Sequence, residues 1–526
     1  MATEDQTSAV QQAPPSPAPL KGGALILGTI ALSLATFMNV LDTSIANVSI
    51  PAIAGDLGVS PNQGTWIITS FAVANAISIP LTGWLTTRFG AVRLFTLSIL
   101  LFVIASLLCG LAPSIETLIL CRVIQGAVAG PMIPLSQALL LSSYPAAKSG
   151  TALAAWSLTT LIAPIMGPLL GGYITDNIAW PWIFYINIPV GLIAAWVTWS
   201  IYHKRETPTR KVPVDGIGLA LLVIWVGCLQ VALDKGKELG WFSSPLITGL
   251  VSVTVVGFVI FLIWELTDKH PIVNLRLFKR RNFTIGTISL SLGYGVFFAN
   301  VVLLPLWLQQ YMGYTATWAG LVTAPVGLLA LAFSPWVGKN INKIDLRLLA
   351  TVAFVVFALT FWMRSNFTIQ TDIQTLLTPT VIQGIAMAFF FIPLVSLTLS
   401  GLPPEQIPAA SGLSNFVRIT AGAFGTSIVT TEWDNRAIMH HSHLIEHISR
   451  YDVQATDFIS QLQHAGLTAA QALEQVNRIV TQQAFMRSAD DIFFISSLIM
   501  LGLISLIWLA KPEKNKTPSN VVEAIH

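Results

Sequence analysis

The chain has 526 residues, 54% of them hydrophobic and 10% charged, with a mean hydropathy of +0.70. Soluble chains carry roughly 25% charged residues, so this one lacks the charge to cover a water-facing surface of its size. The formal net charge of +3 leaves no basic footprint for nucleic acid, and an integral membrane protein is what remains. Its apolar runs are about 20 residues long and separated by short polar turns, which reads as spanning helices and not as barrel strands. Cys109, Cys121 and Cys228 all sit inside apolar runs without metal-ligand spacing, so they read as small hydrophobes.

In chain order, residues 1–22 are polar and Pro-rich and are expected to form a disordered cytoplasmic tail. Fourteen spans follow. Six of them, at roughly 24–50, 63–85, 92–112, 115–143, 149–174 and 182–202, build an N-terminal half over 23–203. Residues 204–282 form a linker with two inserted spans at roughly 215–233 and 245–266. The C-terminal half, 283–510, holds spans at roughly 284–308, 316–338, 346–363, 374–401, 407–432 and 490–510. Within it, 433–489 is a long, polar, helix-prone periplasmic loop, and 511–526 is a second cytoplasmic tail.

With the N-terminus inside, 19 of the 28 Lys and Arg fall in inner segments, against Lys235, Lys237 and Arg364 in the short outer loops. That asymmetry puts both termini inside, which an even number of crossings requires. The chain also repeats itself. Val123-Ile124-Gln125-Gly126 recurs as Val381-Ile382-Gln383-Gly384, Thr65-Trp66 as Thr317-Trp318, and Ser149-Gly150 as Ser411-Gly412, in the same order and at nearly constant spacing. Two repeated halves are the organisation of an alternating-access transporter. No G-x-x-x-x-G-K-[ST] loop occurs, so an ion gradient is left as the energy source.

Five stretches carry further information. Span 1 ends Leu41-Asp42-Thr43-Ser44-Ile45-Ala46-Asn47-Val48-Ser49-Ile50-Pro51, and the loop after span 2 reads Gly83-Trp84-Leu85-Thr86-Thr87-Arg88-Phe89-Gly90-Ala91-Val92-Arg93. Span 4 contains Arg122-Val123-Ile124-Gln125-Gly126, and span 5 contains Gly167-Pro168-Leu169-Leu170-Gly171-Gly172. Span 6 opens Trp182-Ile183-Phe184-Tyr185-Ile186-Asn187-Ile188-Pro189-Val190-Gly191. Together they resemble the fourteen-helix drug:proton antiporters of the major facilitator superfamily, above all the EmrB-type inner-membrane subunits of tripartite efflux pumps.

The resemblance implies an all-α integral membrane fold with two six-helix halves plus two inserted helices. It implies multidrug efflux across the bacterial inner membrane, with no enzyme chemistry and no cofactor beyond the proton gradient. The implied partners are hydrophobic or amphipathic drugs, a membrane-fusion adaptor of the EmrA type and a TolC-like outer-membrane channel. Gating roles are implied for Gly83, Arg88, Gly90 and Arg93, and an antiporter motif for Gly167, Pro168, Gly171 and Gly172. Thr87 stands where the family's loop carries an aspartate, and Ala91 where it carries the first of a basic pair. The charge relay ascribed to that loop therefore lacks two of its parts here.

A charge at the centre of a span costs about 2.5–3.5 kcal/mol on insertion scales, so each one needs a reason. Asp42, Arg122 and Arg418 are the three well inside spans. Counting from the outer ends of spans 1 and 4 places Asp42 and Arg122 both roughly 10–12 Å deep, so they meet if those spans are neighbours. Desolvation favours a protonated acid and a nearby guanidinium favours the carboxylate, which suits Asp42 to carrying a proton and Arg122 to tuning it. A permanent ion pair that merely neutralises two buried charges is the alternative. Arg418 is a candidate for proton coupling or for attracting anionic drugs, or else a packing arginine bonded to Asn415. Glu265 and Glu432 fall at span ends, where contact with water is the default.

The drug site is expected near the midplane between the halves, apolar with a few polar groups. Candidates for its lining are Asn47, Trp66, Asn75, Gln125, Gln137, Trp156, Phe298, Asn300, Gln383, Phe390 and Asn415. The histidines His440, His441, His443 and His447 lack a completing Cys or acid, so they are read as no metal site. An H-x4-D pattern from His447 to Asp452 is a two-residue match in an outer loop, and chance explains it.

Overall fold

The computed structural model describes residues 18–59, 61–145, 148–446, 448 and 453–511; most of both tails, with His447 and Asp452, lies outside that set. Among the described residues the chain is helical throughout and no strand occurs. Its long helical units are α1 (Gly22–Asp56), α2 (Trp66–Phe89), α3 (Ala91–Gly110), α4 (Ile115–Ser143), α5 (Ser149–Asn177), α6 (Trp182–Arg205) and α7 (Gly216–Lys235). They continue as α8 (Pro245–Thr267), α9 (Arg281–Gln310), α10 (Trp318–Asn340), α11 (Leu346–Arg364), α12 (Ile373–Leu399), α13 (Ile407–Glu446) and α14 (Ala469–Ile507). Twelve are long and apolar enough to cross a bilayer, and α5 and α13 are the two outside that number. Fourteen crossings are compatible with this arrangement.

Proline shapes several units, because it lacks the amide that continues a helix. A 3-10 turn at Ile79–Leu81, with Pro80, interrupts α2. Breaks at Gly130-Pro131 and Ala324-Pro325 divide α4 and α10. The helices pack as two six-helix halves, α1–α6 and α9–α14, with α7 and α8 forming a hairpin outside them. In the first half α1 lies against α5 and α6, and α2 against α4; in the second α9 lies against α13, and α12 against α10 and α11. Outward faces stay apolar: Trp196 on α6 is 73% exposed, and Val255, Val256 and Ile263 on α8 are exposed too. Such a girdle is stable only against lipid.

The halves meet closely at the end that carries the Lys/Arg-rich loops. There a Cβ on Gly150 of α5 would lie 2.2 Å from the Gly338 carbonyl oxygen of α10. One on Gly83 of α2 would lie 2.6 Å from the Ala409 Cβ of α13. Backbones touch at this end, so the seam is closed there.

The segment 433–489, read from sequence as a long, helix-prone loop, is helical over most of its described residues. It comprises the end of α13, a short helix Val453–His464 and the beginning of α14. At 1.5 Å per residue, the 40 residues of α13 and 39 of α14 are each about twice the length a bilayer core needs, so both continue beyond it. Thr468 and Gln471 cap the start of α14 reciprocally, and Tyr311 stacks on Phe485 with centroids 4.3 Å apart to brace its base.

Candidate functional site

The first half is built around one buried charge pair. Arg122 on α4 and Asp42 on α1 are both fully buried, with Arg122 Nη1 donating to Asp42 Oδ2 at 2.5 Å. Asp42 Oδ1 accepts Gln125 Nε2 at 3.1 Å and Asn187 Nδ2 at 2.9 Å, the latter from α6. Ser106 on α3 ties those two amides together, accepting Gln125 Nε2 at 2.7 Å and Asn187 Nδ2 at 3.3 Å. Arg122 Nη1 also donates to Gln125 Oε1 at 2.6 Å, and Nε to the Ile67 carbonyl at 3.1 Å. Its guanidinium lies 4.2 Å from the Phe71 ring centroid. Arg122 Nη2 is buried with no partner among the described residues. The cluster is a carboxylate with three donors on it, beside a guanidinium whose Nη2 is still unspent.

The glycine motif of α5 lies against the same stretch of α1. A Cβ on Gly167 would be 2.3 Å from the Ser44 Cβ, and one on Gly171 would be 2.8 Å from the Ile45 carbonyl oxygen. Both sites fall within one turn of Asp42. Gly172 meets nothing within 4 Å. The Pro168 side chain lies outside the described set.

At the closed end, the linker after α6 wraps the α2–α3 loop. Glu206 accepts the Val92 amide at 3.0 Å and the Arg93 amide at 2.9 Å, so a linker carboxylate caps α3. Gly90 makes this approach possible with a φ of 88° and no Cβ, which would otherwise lie 2.4 Å from the Glu206 carboxyl. Arg88 Nη1 donates to the Val212 carbonyl at 2.8 Å, and the Arg210 amide donates to the Thr87 carbonyl at 2.8 Å. The loop thus takes its acid from another segment, and among the described residues Thr87 is engaged through its backbone carbonyl and its own helix.

Arg418 sits apart from the Asp42 cluster. It is buried in α13 between the halves, donating Nη2 to Asn415 Oδ1 at 2.7 Å, with its guanidinium 4.6 Å from the Tyr294 centroid. Asn415 Nδ2 donates across the seam to Gln137 Oε1 at 3.3 Å. These three residues, with Ser411 and Ser414, line a small pocket.

The other candidates scatter. Phe298 stacks on Tyr294 at 5.4 Å and stays near Arg418, while Asn75 keeps a buried Oδ1 without a partner among the described residues. Trp156 is buried inside the first half with Nε1 on Ser136, and Phe390 packs in an aromatic cluster with Phe354, Phe357 and Phe391. Asn300 Nδ2 donates to Ser496 of α14 at 3.0 Å. Asn47 is exposed on α1, and Trp66 lies beneath Lys235 at the end opposite the closed seam.

Sequence reasoning missed Asn187, Ser106, Glu206 and Arg364. Arg364, counted with an outer loop, is instead buried and donates Nη2 to Gln383 Oε1 at 2.7 Å and to Thr380 Oγ1 at 3.2 Å. Gln383 is the repeat partner of Gln125 and Thr380 that of Arg122, so α11 supplies the second half's arginine from elsewhere. The repeat was the signal that called for one. Glu265, read as water-exposed, is buried, because residues after α8 fold back and the Val273 amide donates to its Oε2 at 3.1 Å. His440 pairs with Asp491 at 2.8 Å and His441 with Asn477 at 3.1 Å, and no metal-holding cluster occurs among the described residues.

Comparison with known proteins adds to this geometry. The profile of the Major Facilitator Superfamily matches residues 32–426. The multidrug export protein EmrB of Haemophilus influenzae is 52% identical over 495 residues, covering 94% of this chain and 97% of that protein. The fatty acid resistance protein FarB of Neisseria gonorrhoeae is 49% identical over 494 residues, with coverage of 94% and 97%. Among solved structures, the proton:xylose symporter XylE aligns with a TM-score of 0.56 at 14% identity, over 93% of this chain and 99% of that one, a likeness of fold alone.

Proposed function

The chain belongs to the Major Facilitator Superfamily, and on that premise we propose that it is an EmrB-type multidrug exporter driven by protons. It is a transporter and not an enzyme. It moves hydrophobic or amphipathic compounds out across the bacterial inner membrane, and the proton gradient takes the place of any cofactor.

The observation that carries the coupling is the buried Asp42–Arg122 pair inside its cage of Gln125, Asn187 and Ser106. A proton arriving on Asp42 removes the charge that Arg122 binds. Arg122 then shifts its donors toward Gln125 and the Ile67 carbonyl, which it already touches. Because Gly167 and Gly171 hold α5 against α1 beside Asp42, that change reaches α5, which forms the seam with α10. Drug binds between the halves, where Gln137, Asn415, Arg418 and Phe298 gather.

The Lys/Arg-rich end faces the cytoplasm with both termini, and the extended α13–α14 hairpin faces the periplasm. There it offers a helical surface to an adaptor of the EmrA type, which hands the drug to a TolC-like channel. The domain division is 23–203, 204–282 and 283–510.

The test uses proteoliposomes with a trapped pH dye, challenged with planar hydrophobic drugs and a long-chain fatty acid. Wild type is expected to show drug-dependent proton flux, and Asp42→Asn none. Flux that ignores Asp42 assigns the proton to another group. No protein-dependent flux with any compound sinks the multidrug reading.

A further inference from the structure

The two inserted helices have no counterpart in the repeat, yet the last turn of α7 and the connection that follows it together reach both halves at the end opposite the closed seam. On the first half, Lys235 Nζ donates to Thr65 Oγ1 at 2.6 Å and the Thr69 hydroxyl donates to Asp234, both at the start of α2. Lys235 also lies 5.5 Å from the Trp66 ring centroid. On the second half, Ser427 Oγ donates to the Leu233 carbonyl at 2.7 Å, and Trp241 Nε1 to Thr431 Oγ1 at 2.9 Å. Lys237 Nζ lies 2.9 Å from Asp434 Oδ2. All three second-half partners belong to α13. The same two helices, α2 and α13, touch directly at the other end through Gly83 and Ala409.

We infer that residues 233–241 are a clasp between the halves, and that Lys237 and Trp241 are positioning residues that set which way the transporter faces. The inference rests on the alternating-access reading above. A rocking motion that parts α2 from α13 at Gly83 brings their opposite ends together, and the turn between them cannot keep both sets of bonds. The α2 side is the anchor, because Lys235 is only 7% exposed and α7 packs along α2. On the α13 side the Ser427 bond is as well buried as Lys235, so the part that lets go is the outer one, Lys237 on Asp434 and Trp241 on Thr431. Lys237 and Asp434 are 40% and 41% exposed, and exposed ion pairs are individually weak. Neither Lys237 nor Trp241 touches the Asp42 cluster or the Arg418 pocket, so their effect passes through the position of the halves.

Two experiments on the full chain in nanodiscs test this, with Cys109, Cys121 and Cys228 replaced by Ala. Spin labels at Asp176→Cys and Gln374→Cys report the separation of the halves at the clasp end, without drug or gradient. Lys237→Ala with Thr431→Val is expected to enrich the shorter distance about three- to tenfold, and Lys237→Arg to leave the distribution as it was. Next, Lys237→Cys and Asp434→Cys are bridged with a short bis-methanethiosulfonate. Bridging is expected to stop turnover, and reductant to restore it. A bridged protein that turns over at the unbridged rate, or distances that ignore the loosened clasp, would overturn the proposal. Since the distances are read without transport, a failed drug assay would leave this result standing on its own.

Discussion

Asp42 is approached by polar side chains from α4 and α6, and Ser106 on α3 holds those side chains in place, so the acid is fixed from three directions. Removing its charge leaves a fully buried guanidinium facing a neutral amide. Breaking a buried pair from one side costs about 3–5 kcal/mol, most of it for the stranded charge. Asp42→Asn should therefore lower the thermal midpoint in detergent, and adding Arg122→Met should recover much of that loss without restoring proton flux. Recovery of flux in the double variant would mean that the pair is structural. The pair itself was legible in the sequence, because two charges at equal depth in spans of opposite direction need each other. Asn187 and Ser106 were not, since uncharged polar residues in a span have many ways to satisfy themselves on their own helix. Arg364 escaped for another reason: it ends its apolar run, where a charge ordinarily meets water.

At the scale of elements, the α1–α5 contact turns a sequence motif into a testable geometry. Gly167→Ala places a methyl 2.3 Å from the Ser44 Cβ and 3.0 Å from its carbonyl carbon, so the helices must part. Overpacking of this kind costs about 1–3 kcal/mol, and here it also displaces the turn that carries Asp42. Transport should fall sharply in Gly167→Ala and recover in part with Ser44→Gly, whereas Gly172→Ala, with open space around it, should transport as wild type. Equal loss in both alanine variants would show that packing on α1 is not what the motif provides. The sequence showed that the motif made a small-faced helix but not which glycine faced α1, because four glycine and proline positions can be rotated around a helix axis. A cap gives a second test. Asp345 Oδ1 accepts the Arg347 amide at 2.9 Å at the start of α11, and the hydrogen bond from the Arg347 side chain holds its carboxyl below the usual range. A depressed carboxyl stabilises above its unfolded pKa and loses that contribution as pH falls. Asp345→Ala should cost about 0.5–2 kcal/mol at neutral pH, with the deficit shrinking below a pH of about 4 in thermal melts.

For the whole molecule, the repeat announced two halves, and their packing follows it. What the repeat left out is how the halves touch, since glycines at a seam look the same in sequence as glycines in a kink. Gly150 and Gly338 show the difference, because each has the other's backbone where its own Cβ would go. A Cβ at Gly338 would lie 2.6 Å from the Gly150 carbonyl oxygen and 3.2 Å from the Thr151 amide nitrogen. Neither can swing aside as a side chain would, so relief requires α5 and α10 to separate. If that costs about 1–3 kcal/mol only while the seam is closed, the balance between facing states shifts by about five- to 150-fold toward the open seam. Gly338→Ala should lengthen the distance between spin labels at Lys148→Cys and Lys339→Cys, both exposed beside the seam. It should shorten the distance at the clasp end in the same sample, since one rocking motion moves both. Lengthening at the seam with no answering change at the clasp would mean that the ends move independently, and the halves would then not act as rigid bodies.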